Sequence, residues 1–277
     1  MTRSRITDIA PSRLAQLNRG EIEASNLTEC LTVDFAALMQ CTLPALGPNA
    51  LASMHAASGE GITRRMALAA RLLLAESGTR DLAALSRHPS DTVRGWACFM
   101  VGASEGLSLG DRLALIRPLA DDPHFGVREW AWLAMRSTIA AQLEEAIAAL
   151  VPWTAEPSER LRRFASEATR PRGVWCTHLA SLRQAPEQAL VLLEPLKADP
   201  APYVQDSVAN WLNDASKDRP QWVTDLCARW SRESPSPSTS RICQRALRTL
   251  RKGKLPKEPL GPITWQSSTP PKPPGWH

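Results

Sequence analysis

Several signatures that would assign a chemistry directly are missing from this chain of 277 residues. It has no Walker lysine loop, no G-x-G-x-x-G and no G-x-S-x-G nucleophile elbow. Because these motifs hold phosphates or expose an activated serine, their absence disfavours nucleotide-binding enzymes of those classes and serine hydrolases. Tyrosine and phenylalanine are also scarce, with 1 and 4 copies, whereas tryptophan occurs 10 times. Tryptophan therefore supplies most of the large aromatic surface.

Cysteine and histidine are too few and too scattered to indicate a metal site. The chain has 6 Cys without a C-x-x-C pair and 5 His. Cys176-x-His178 is a single pair that lacks the second half of a zinc site. We therefore predict no metal and no cofactor. Scattered thiols of this kind are typical of reduced cytosolic proteins.

Long apolar runs and alternating patterns are absent as well. No apolar run approaches the roughly 18 residues of a membrane-spanning helix, and the first residues do not resemble a signal peptide. A sustained alternation of period two is missing, which disfavours a sheet. We therefore expect a helical, cytoplasmic protein with no membrane partner.

A nine-residue phrase that recurs four times is the most informative feature present, and its copies occupy residues 88–96, 122–130, 156–164 and 199–207. In each copy a Pro is followed four residues later by an aliphatic residue and then by Arg or Gln. The prolines stand at positions 89, 123, 157 and 200, which makes the spacings 34, 34 and 43 residues. A period of this length is typical of helix pairs stacked into a solenoid.

The repeats predict an all-α protein, a curved α-solenoid of HEAT-like helical repeats with about five to seven helix pairs. Pro interrupts the chain after the first helix of a pair, and the aliphatic–Arg pair lies at the start of the second. We predict one repeat domain over residues 1–252, with clear repeats over 79–252. Residues 253–277 are predicted to form a Pro-rich basic tail.

Basic residues are placed where a long polyanion would bind. An Arg at the same place in successive repeats predicts a row of guanidinium groups along the concave wall, formed by Arg94, Arg128, Arg162 and Arg241. Residues 229–257 carry nine basic residues and one Glu, a plausible phosphate-contact surface that includes Arg245, Arg248 and Arg251. The alternative for this stretch is a solvated helix followed by a disordered cationic tail.

Acidic and aromatic residues near the ends of the second helices are the candidate chemical groups. Stacking in register predicts that Glu167 and Asp214 face each other across adjacent repeats, with Trp175 at the same level. Glu129, next to a repeat arginine, is a less certain third carboxylate. The alternative is that these carboxylates form salt bridges that tie repeats together. Among the other tryptophans, we assign to the core Trp96, Trp130 and Trp222.

Three strings carry a resemblance to a known family: Leu17–Glu23, Phe164–Trp175 and Val208–Asp214. They resemble the bacterial DNA glycosylases built from HEAT-like repeats, of the AlkC and AlkD type, and the likeness is closer to AlkC. It covers roughly residues 13–252. Some AlkC-type proteins carry an additional C-terminal immunoglobulin-like domain, in whose place this chain has its short Pro-rich tail. DNA contacts attributed to that domain must here come from elsewhere or be weaker.

The resemblance implies excision of cationic alkylated bases, such as 3-methyladenine, from duplex DNA without base flipping. It implies catalytic roles for Glu167 and Asp214, with Trp175 as an aromatic wall and Glu129 as a possible third acid. Such a base is already a good leaving group, so carboxylates need only stabilise the positive charge that develops on the deoxyribose and orient a water. An indole face adds a cation–π contribution of about 0.5–2 kcal/mol.

The remaining predictions concern DNA contacts and alternatives. Further DNA-binding residues are predicted at Arg170, Arg172, Trp211 and Lys217. The protein is expected to act as a monomer, associated with the bacterial nucleoid when on DNA. A non-catalytic HEAT-repeat scaffold that binds DNA or protein remains the alternative. The sequence leaves open the ranking of 3-methyladenine, 7-methylguanine, 3-methylcytosine and 1-methyladenine as substrates.

Overall fold

The computed structural model describes residues 9–173 and 176–254, and within them all regular structure is helical. Three 3₁₀ turns occur, at Val151–Ala155, Pro186–Ala189 and Glu194–Leu196. The α-helices in chain order are α1 (Pro11–Arg19), α2 (Leu27–Thr32), α3 (Phe35–Thr42), α4 (Pro48–Ala56), α5 (Ile62–Ser77), α6 (Leu82–Leu85), α7 (Asp91–Ala103), α8 (Leu109–Ala120), α9 (Phe125–Ala141), α10 (Leu143–Leu150), α11 (Glu159–Glu167), α12 (Ala180–Gln184), α13 (Leu190–Leu193), α14 (Pro202–Ala215), α15 (Pro220–Glu233), α16 (Pro237–Ala246) and α17 (Arg248–Lys254).

Each recurring phrase lies at the entry to the second helix of a pair. The Pro stands two residues before the start of α7, α9, α11 or α14, where its fixed backbone and missing N–H block continuation of the preceding helix. The aliphatic residue four positions later is buried in every copy, as shown by Val93, Val127, Leu161 and Val204. In each copy, therefore, the Pro ends the preceding helix and the aliphatic residue packs the following helix into the core.

The second helices form a continuous layer through the molecule. Helix α5 packs on α7, α7 on α9, α11 on α14, and α14 on α16, while α8 covers α7 and α9 from the other side. Close approach of α7 to α9 depends on Gly95, where a Cβ would lie 2.7 Å from the Trp130 ring. The predicted all-α solenoid of helical repeats is confirmed, whereas its curvature stays a prediction.

The repeat arginines join neighbouring repeats. In each of three copies the Arg Nη1 donates to two carbonyls at the phrase's own Pro, with 2.8 and 3.0 Å for Arg94. Arg94 Nε and Nη2 also bind Asp122 of the next repeat, at 2.8 and 3.2 Å, and Nη2 binds Glu23. Arg162 binds Asp199 in the same manner, at 2.7 and 3.1 Å.

These contacts correct part of the predicted phosphate row. Arg94 is 6% exposed, and all five of its N–H groups have protein acceptors, which leaves no donor for a phosphate. Arg162 is almost as fully engaged, with its guanidinium between Asp199 and the carbonyls of Glu156 and Pro157. A repeated Arg at this position is a structural feature of the repeat interface.

The tryptophans are mostly core residues. Trp96 and Trp130 are buried as predicted, and Trp222 is half-buried against the core. Trp211 was predicted to contact DNA, but it is fully buried and its Nε1 donates to the Thr169 carbonyl oxygen at 3.0 Å. That prediction does not fit the structure, because the indole face is enclosed by the α14 packing.

Candidate active site

Three carboxylates and three cations form a chain of ion pairs across consecutive repeats. We call them the carboxylate cluster, and its members are Glu129, Arg163, Glu167, Arg170, Asp214 and Lys217. The acids come from corresponding helices: one lies in the second turn of α9, one is the last residue of α11, and one is in the last turn of α14. The stacking of second helices brings these positions together.

Arginines bridge the acids in pairs. Arg163 Nη2 lies 2.7 Å from Glu129 Oε1 and 3.6 Å from Glu167 Oε2. Arg170 continues the chain, with 2.6 Å from Nη1 to Glu167 Oε1 and 2.6 Å from Nη2 to Asp214 Oδ2. The predicted pairing of Glu167 with Asp214 across repeats therefore takes the form of a shared guanidinium.

Glu167 is the most enclosed of the three acids. Its side chain is 4% exposed, and both oxygens are occupied, with the Ser207 hydroxyl donating to Oε2 at 2.6 Å. Burial opposes ionisation of this carboxyl, but the charges of Arg163 and Arg170 and the Ser207 hydrogen bond outweigh it and lower the Glu167 pKa. Glu167 is therefore held as a carboxylate.

Glu129 and Asp214 are the more available acids. The Glu129 side chain is 33% exposed, and its Oε2 accepts a hydrogen bond from Trp132 Nε1 at 2.8 Å. Asp214 Oδ1 has Lys217 as its partner at 3.0 Å, and that lysine side chain is 41% exposed. Because the ammonium group of Lys217 is flexible and exposed, it is easily displaced, and Asp214 Oδ1 can then interact with a different cation.

One aromatic platform beside the cluster is absent from the sequence-based prediction. The ring of Tyr203 lies under two guanidinium groups, with 4.4 Å from Arg163 Cζ and 5.2 Å from Arg128 Cζ to its centroid. Its hydroxyl accepts from Arg128 Nε at 3.0 Å. Arg163 directly follows the repeat arginine Arg162, and Tyr203 is the chain's single tyrosine. The additional arginine and the single tyrosine are the sequence features that could have indicated this platform.

The segment between α11 and α12 is fixed at both ends, and we call these contacts the loop clamp. Trp175 lies outside the described residues, but the flanking positions are described. Arg136 on α9 donates to the carbonyls of Ala168, Arg170 and Thr177, at 2.9, 2.5 and 3.2 Å. The clamp thus holds the chain on both sides of the site predicted for the tryptophan.

A second anchor of the loop clamp comes from the next repeat. Asp218 receives paired hydrogen bonds of 2.8 and 3.0 Å from Arg172 on one side of the segment, and of the same lengths from Arg183 on the other. These bonds keep the pKa of Asp218 far below its ordinary value. Arg172 was predicted to contact DNA, but its fork is engaged with this carboxylate.

The C-terminal helices present the basic surface predicted from charge. Arg241 and Arg245 share Asp206, at 2.7 and 3.1 Å, and Arg248 Nη2 donates to Asn210 at 2.9 Å. Residues 245, 248 and 251 are all exposed. The predicted tail begins beyond this point, and residues 255–277 lie outside the described part of the chain.

The described residues contain no group of three or more His, Cys, Asp or Glu side chains able to hold a metal ion. Over the same residues, no helix has the length and apolar character needed to cross a membrane.

Comparisons with known proteins support the fold and sharpen the interpretation. A family model for HEAT repeats matches residues 80–169, a range that includes three copies of the recurring phrase. The chain contains HEAT repeats. Over 119 residues it is 38% identical to the uncharacterized protein YhaZ of Bacillus subtilis (strain 168), covering 43% of this chain and 33% of that protein.

A solved structure is similar over most of this HEAT-repeat chain. It is titled Pseudomonas fluorescens alkylpurine DNA glycosylase AlkC bound to DNA containing an abasic site analog, and the similarity has a TM-score of 0.64 at 27% identity. It covers 91% of this chain and 66% of AlkC, so the chain spans slightly less than two thirds of that protein. The resemblance to AlkC drawn from the three sequence strings is confirmed.

Proposed function

We propose that this protein is a DNA repair glycosylase that excises cationic alkylated bases from duplex DNA by hydrolysing the N-glycosidic bond. The observation that carries the proposal is the carboxylate cluster, in which three acids from successive repeats are held by ion pairs before any substrate arrives. The similarity to AlkC, whose structure holds DNA with an abasic site analog, supports the same activity. Alkylated double-stranded DNA is the proposed partner, and the protein acts on it as a monomer.

A cationic base leaves without protonation, so the barrier is set by the positive charge that develops on the deoxyribose. Fixed carboxylates stabilise that charge at no reorganisation cost during the reaction, and removing one such electrostatic partner typically costs 10²–10³ in rate, roughly 2.7–4 kcal/mol. One acid can also orient or deprotonate the attacking water. No base pocket is required, so the lesion need not leave the helical stack.

The three acids divide the work according to the partners of their carboxylate oxygens. Glu129 and Asp214 each keep an oxygen that solvent or a displaceable side chain can reach, so they face the sugar. Glu167 has both oxygens engaged and contributes its charge while holding Arg163 and Arg170 in position. Trp175 remains the proposed aromatic wall, presented by the clamped segment.

DNA contacts are proposed for the exposed cations near the cluster. Lys217 lies beside Asp214, and the basic surface of α16 and α17 supplies Arg241, Arg245, Arg248 and Arg251. Arg128, which stacks on the ring of Tyr203, is also proposed to contact DNA. Arg170 touches two acids of the cluster and orients them, a function distinct from phosphate binding.

The activity is tested with duplex DNA treated with a methylating agent that produces 3-methyladenine and 7-methylguanine. The expected result is release of free 3-methyladenine by the parent chain and its loss in Asp214→Asn. A second assay uses oligonucleotides carrying 3-methylcytosine or 1-methyladenine, with cleavage at the resulting abasic sites as the readout. Absence of released base from every substrate, with folded protein, would refute the proposal.

A second candidate is a DNA-binding relative without catalysis, and one observation favours it. Every acid of the carboxylate cluster is compensated by a cation within 3.0 Å, which is also what a purely structural network would show. Such a protein would bind duplex DNA with a steep salt dependence and release no base. The excision assay separates the two functions.

A further inference from the structure

Two cysteine thiols meet between α15 and α16, away from the carboxylate cluster. Cys227 lies in the middle of α15 and Cys243 in α16, and Cys243 Sγ is 3.7 Å from the Cys227 carbonyl oxygen. Both thiols lie at the contact between these two packed helices and line the same cavity. A disulfide between two helices requires its cysteines to face one another across such a contact.

The thiol pair opens onto the surface. Both cysteines line a cavity of about 310 Å³ whose walls include Ser231, Ser240 and the exposed Arg251. The two thiols are largely covered by their helices, with 2% and 6% of each residue exposed, but a small oxidant can enter the cavity. By contrast, Cys98 is fully enclosed in α7 with no exposed surface.

The two thiols are also chemically different from each other. A hydrogen bond from the Cys227 thiol lowers the pKa of Cys243 to about 7 against the effect of burial. The same hydrogen bond, together with burial, raises the pKa of Cys227. Such a pair supplies one nucleophilic thiolate and one neighbouring thiol, the arrangement that reacts with oxidants.

We propose that Cys227 and Cys243 form a peroxide-sensitive dithiol site that closes to a reversible disulfide between α15 and α16. Nothing in this proposal depends on glycosylase activity. In the oxidising step the Cys243 thiolate attacks one oxygen of hydrogen peroxide, the O–O bond breaks, and the leaving hydroxide takes up a proton to become water. The Cys243 sulfenic acid is then attacked by Cys227, the S–O bond breaks, a disulfide forms and a second water leaves. A cellular thiol reverses the reaction by exchange.

The test uses the full chain, reduced and then exposed to hydrogen peroxide. Remaining thiols are blocked with N-ethylmaleimide in denaturant, and the protein is digested with trypsin without reduction. The expected product joins the tryptic peptides 218–229 and 242–245, which contain the two cysteines. The Cys243 thiol, whose pKa is lowered to about 7, should react on the order of tenfold faster at pH 7 than the thiol of Cys41, the exposed cysteine.

Variants distinguish the order of events. In Cys227→Ser the disulfide is lost and a dimedone-trapped sulfenic acid accumulates on Cys243, whereas Cys243→Ser leaves Cys227 unreactive. Cys41→Ser is the matched control and should give the same internal disulfide as the parent. Oxidation of the pair no faster than that of Cys41 would overturn the proposal. So would a sulfonic acid on Cys243 with no disulfide, or cross-links that join two molecules.

Discussion

Individual side chains in this protein combine a structural role with a proposed catalytic role. Glu167 was singled out from sequence either as a catalytic acid or as a salt bridge between repeats, and in the structure it lies between Arg163 and Arg170. These alternatives no longer exclude each other, because a preorganised site needs acids that are locked in place. Melting temperature alone therefore cannot separate the two roles.

Substitutions of the three acids should distinguish a role in stabilising the positive charge on the sugar from a role in stabilising the fold. We expect Asp214→Asn and Glu129→Gln to slow single-turnover excision about 10²-fold. Melting should change little in Glu129→Gln, whose side chain is 33% exposed, whereas Asp214→Asn removes a buried partner of Arg170 and should lower the melting temperature. Glu167→Gln should also slow excision and in addition cost about 3 kcal/mol of stability, because it removes a buried partner from two arginines.

Ser207→Ala is the control for those variants, since it removes the hydrogen bond to Glu167 and keeps the carboxylate. Its excision rate should stay within a few-fold of the parent, while loss of one hydrogen bond to a charged group should cost roughly 1.5–3 kcal/mol of stability. Full activity in both Asp214→Asn and Glu129→Gln would show that these acids do not face the reacting sugar.

The lowered pKa of Glu167 also predicts how stability depends on pH. Its folded pKa lies below the unfolded value, so its contribution is fully present above the unfolded pKa of about 4.3 and is lost as pH falls through the folded value. The difference in unfolding free energy between the parent and Glu167→Gln should therefore be constant near neutral pH and shrink in acid. Denaturant titrations at several pH values measure it, and a difference that persists in acid contradicts the ion-pair account.

Residue-level prediction from sequence succeeded where the repeat register decides position. Glu167 and Asp214 occupy matching ends of stacked helices, so their proximity could be inferred without coordinates. The contacts of the repeat arginines could not be inferred from sequence, because a periodic Arg is equally compatible with a row of exposed cations and with packing contacts between repeats. Only the neighbours of Arg94, namely Asp122 and two carbonyls, decide between these roles.

At the scale of elements, the loop clamp links three repeats to one segment. Arg136 comes from α9, Asp218 follows α14, and both hold residues on either side of positions 174–175. Helix α11 ends at Glu167, a few residues before Pro171, and Pro disfavours helix at the residue it follows. The clamp itself could not be predicted from sequence, since contacts between carbonyls and a distant Arg leave no sequence pattern.

Releasing the clamp should impair catalysis more than binding. Asp218→Asn weakens the anchors of Arg172 and Arg183, and we expect excision to slow about tenfold because small misplacements of a positioned group reduce rates strongly. Affinity for undamaged duplex should stay near that of the parent. Asp225→Asn is a matched control, because Asp225 is exposed and bonded to Gln221. Equal excision rates for the two variants would contradict a positioning role for the clamp.

For the whole molecule, the sequence predicted the fold more accurately than it predicted which cations are free on the surface. The period of the prolines and the absence of alternating segments were sufficient for an all-α solenoid, because repeat stacking is a local rule applied many times. Surface function depends on which cations remain free after packing. Several arginines counted as basic surface in the sequence are engaged with acids, including Arg162 and Arg172.

The remaining exposed cations concentrate at the C-terminal end of the described chain. If this surface contacts phosphates, replacing Arg245, Arg248 and Arg251 together by Ala should weaken binding to all duplexes alike. It should also flatten the plot of log affinity against log salt by roughly one unit for each lost contact. Arg245 shares Asp206 with Arg241, so its contribution should be the smallest of the three.

The control for that triple variant carries the same loss of charge elsewhere on the protein. Arg64, Arg80 and Arg87 are exposed residues of the N-terminal half, and replacing all three by Ala lowers the net charge equally. A general electrostatic attraction would make both triple variants lose affinity and salt slope alike, because long-range steering depends on total charge. Direct phosphate contact predicts that only the C-terminal triple variant flattens the slope. A salt titration with unmodified duplex measures both, and identical slopes for the parent and the C-terminal triple variant would exclude α16 and α17 from the DNA interface.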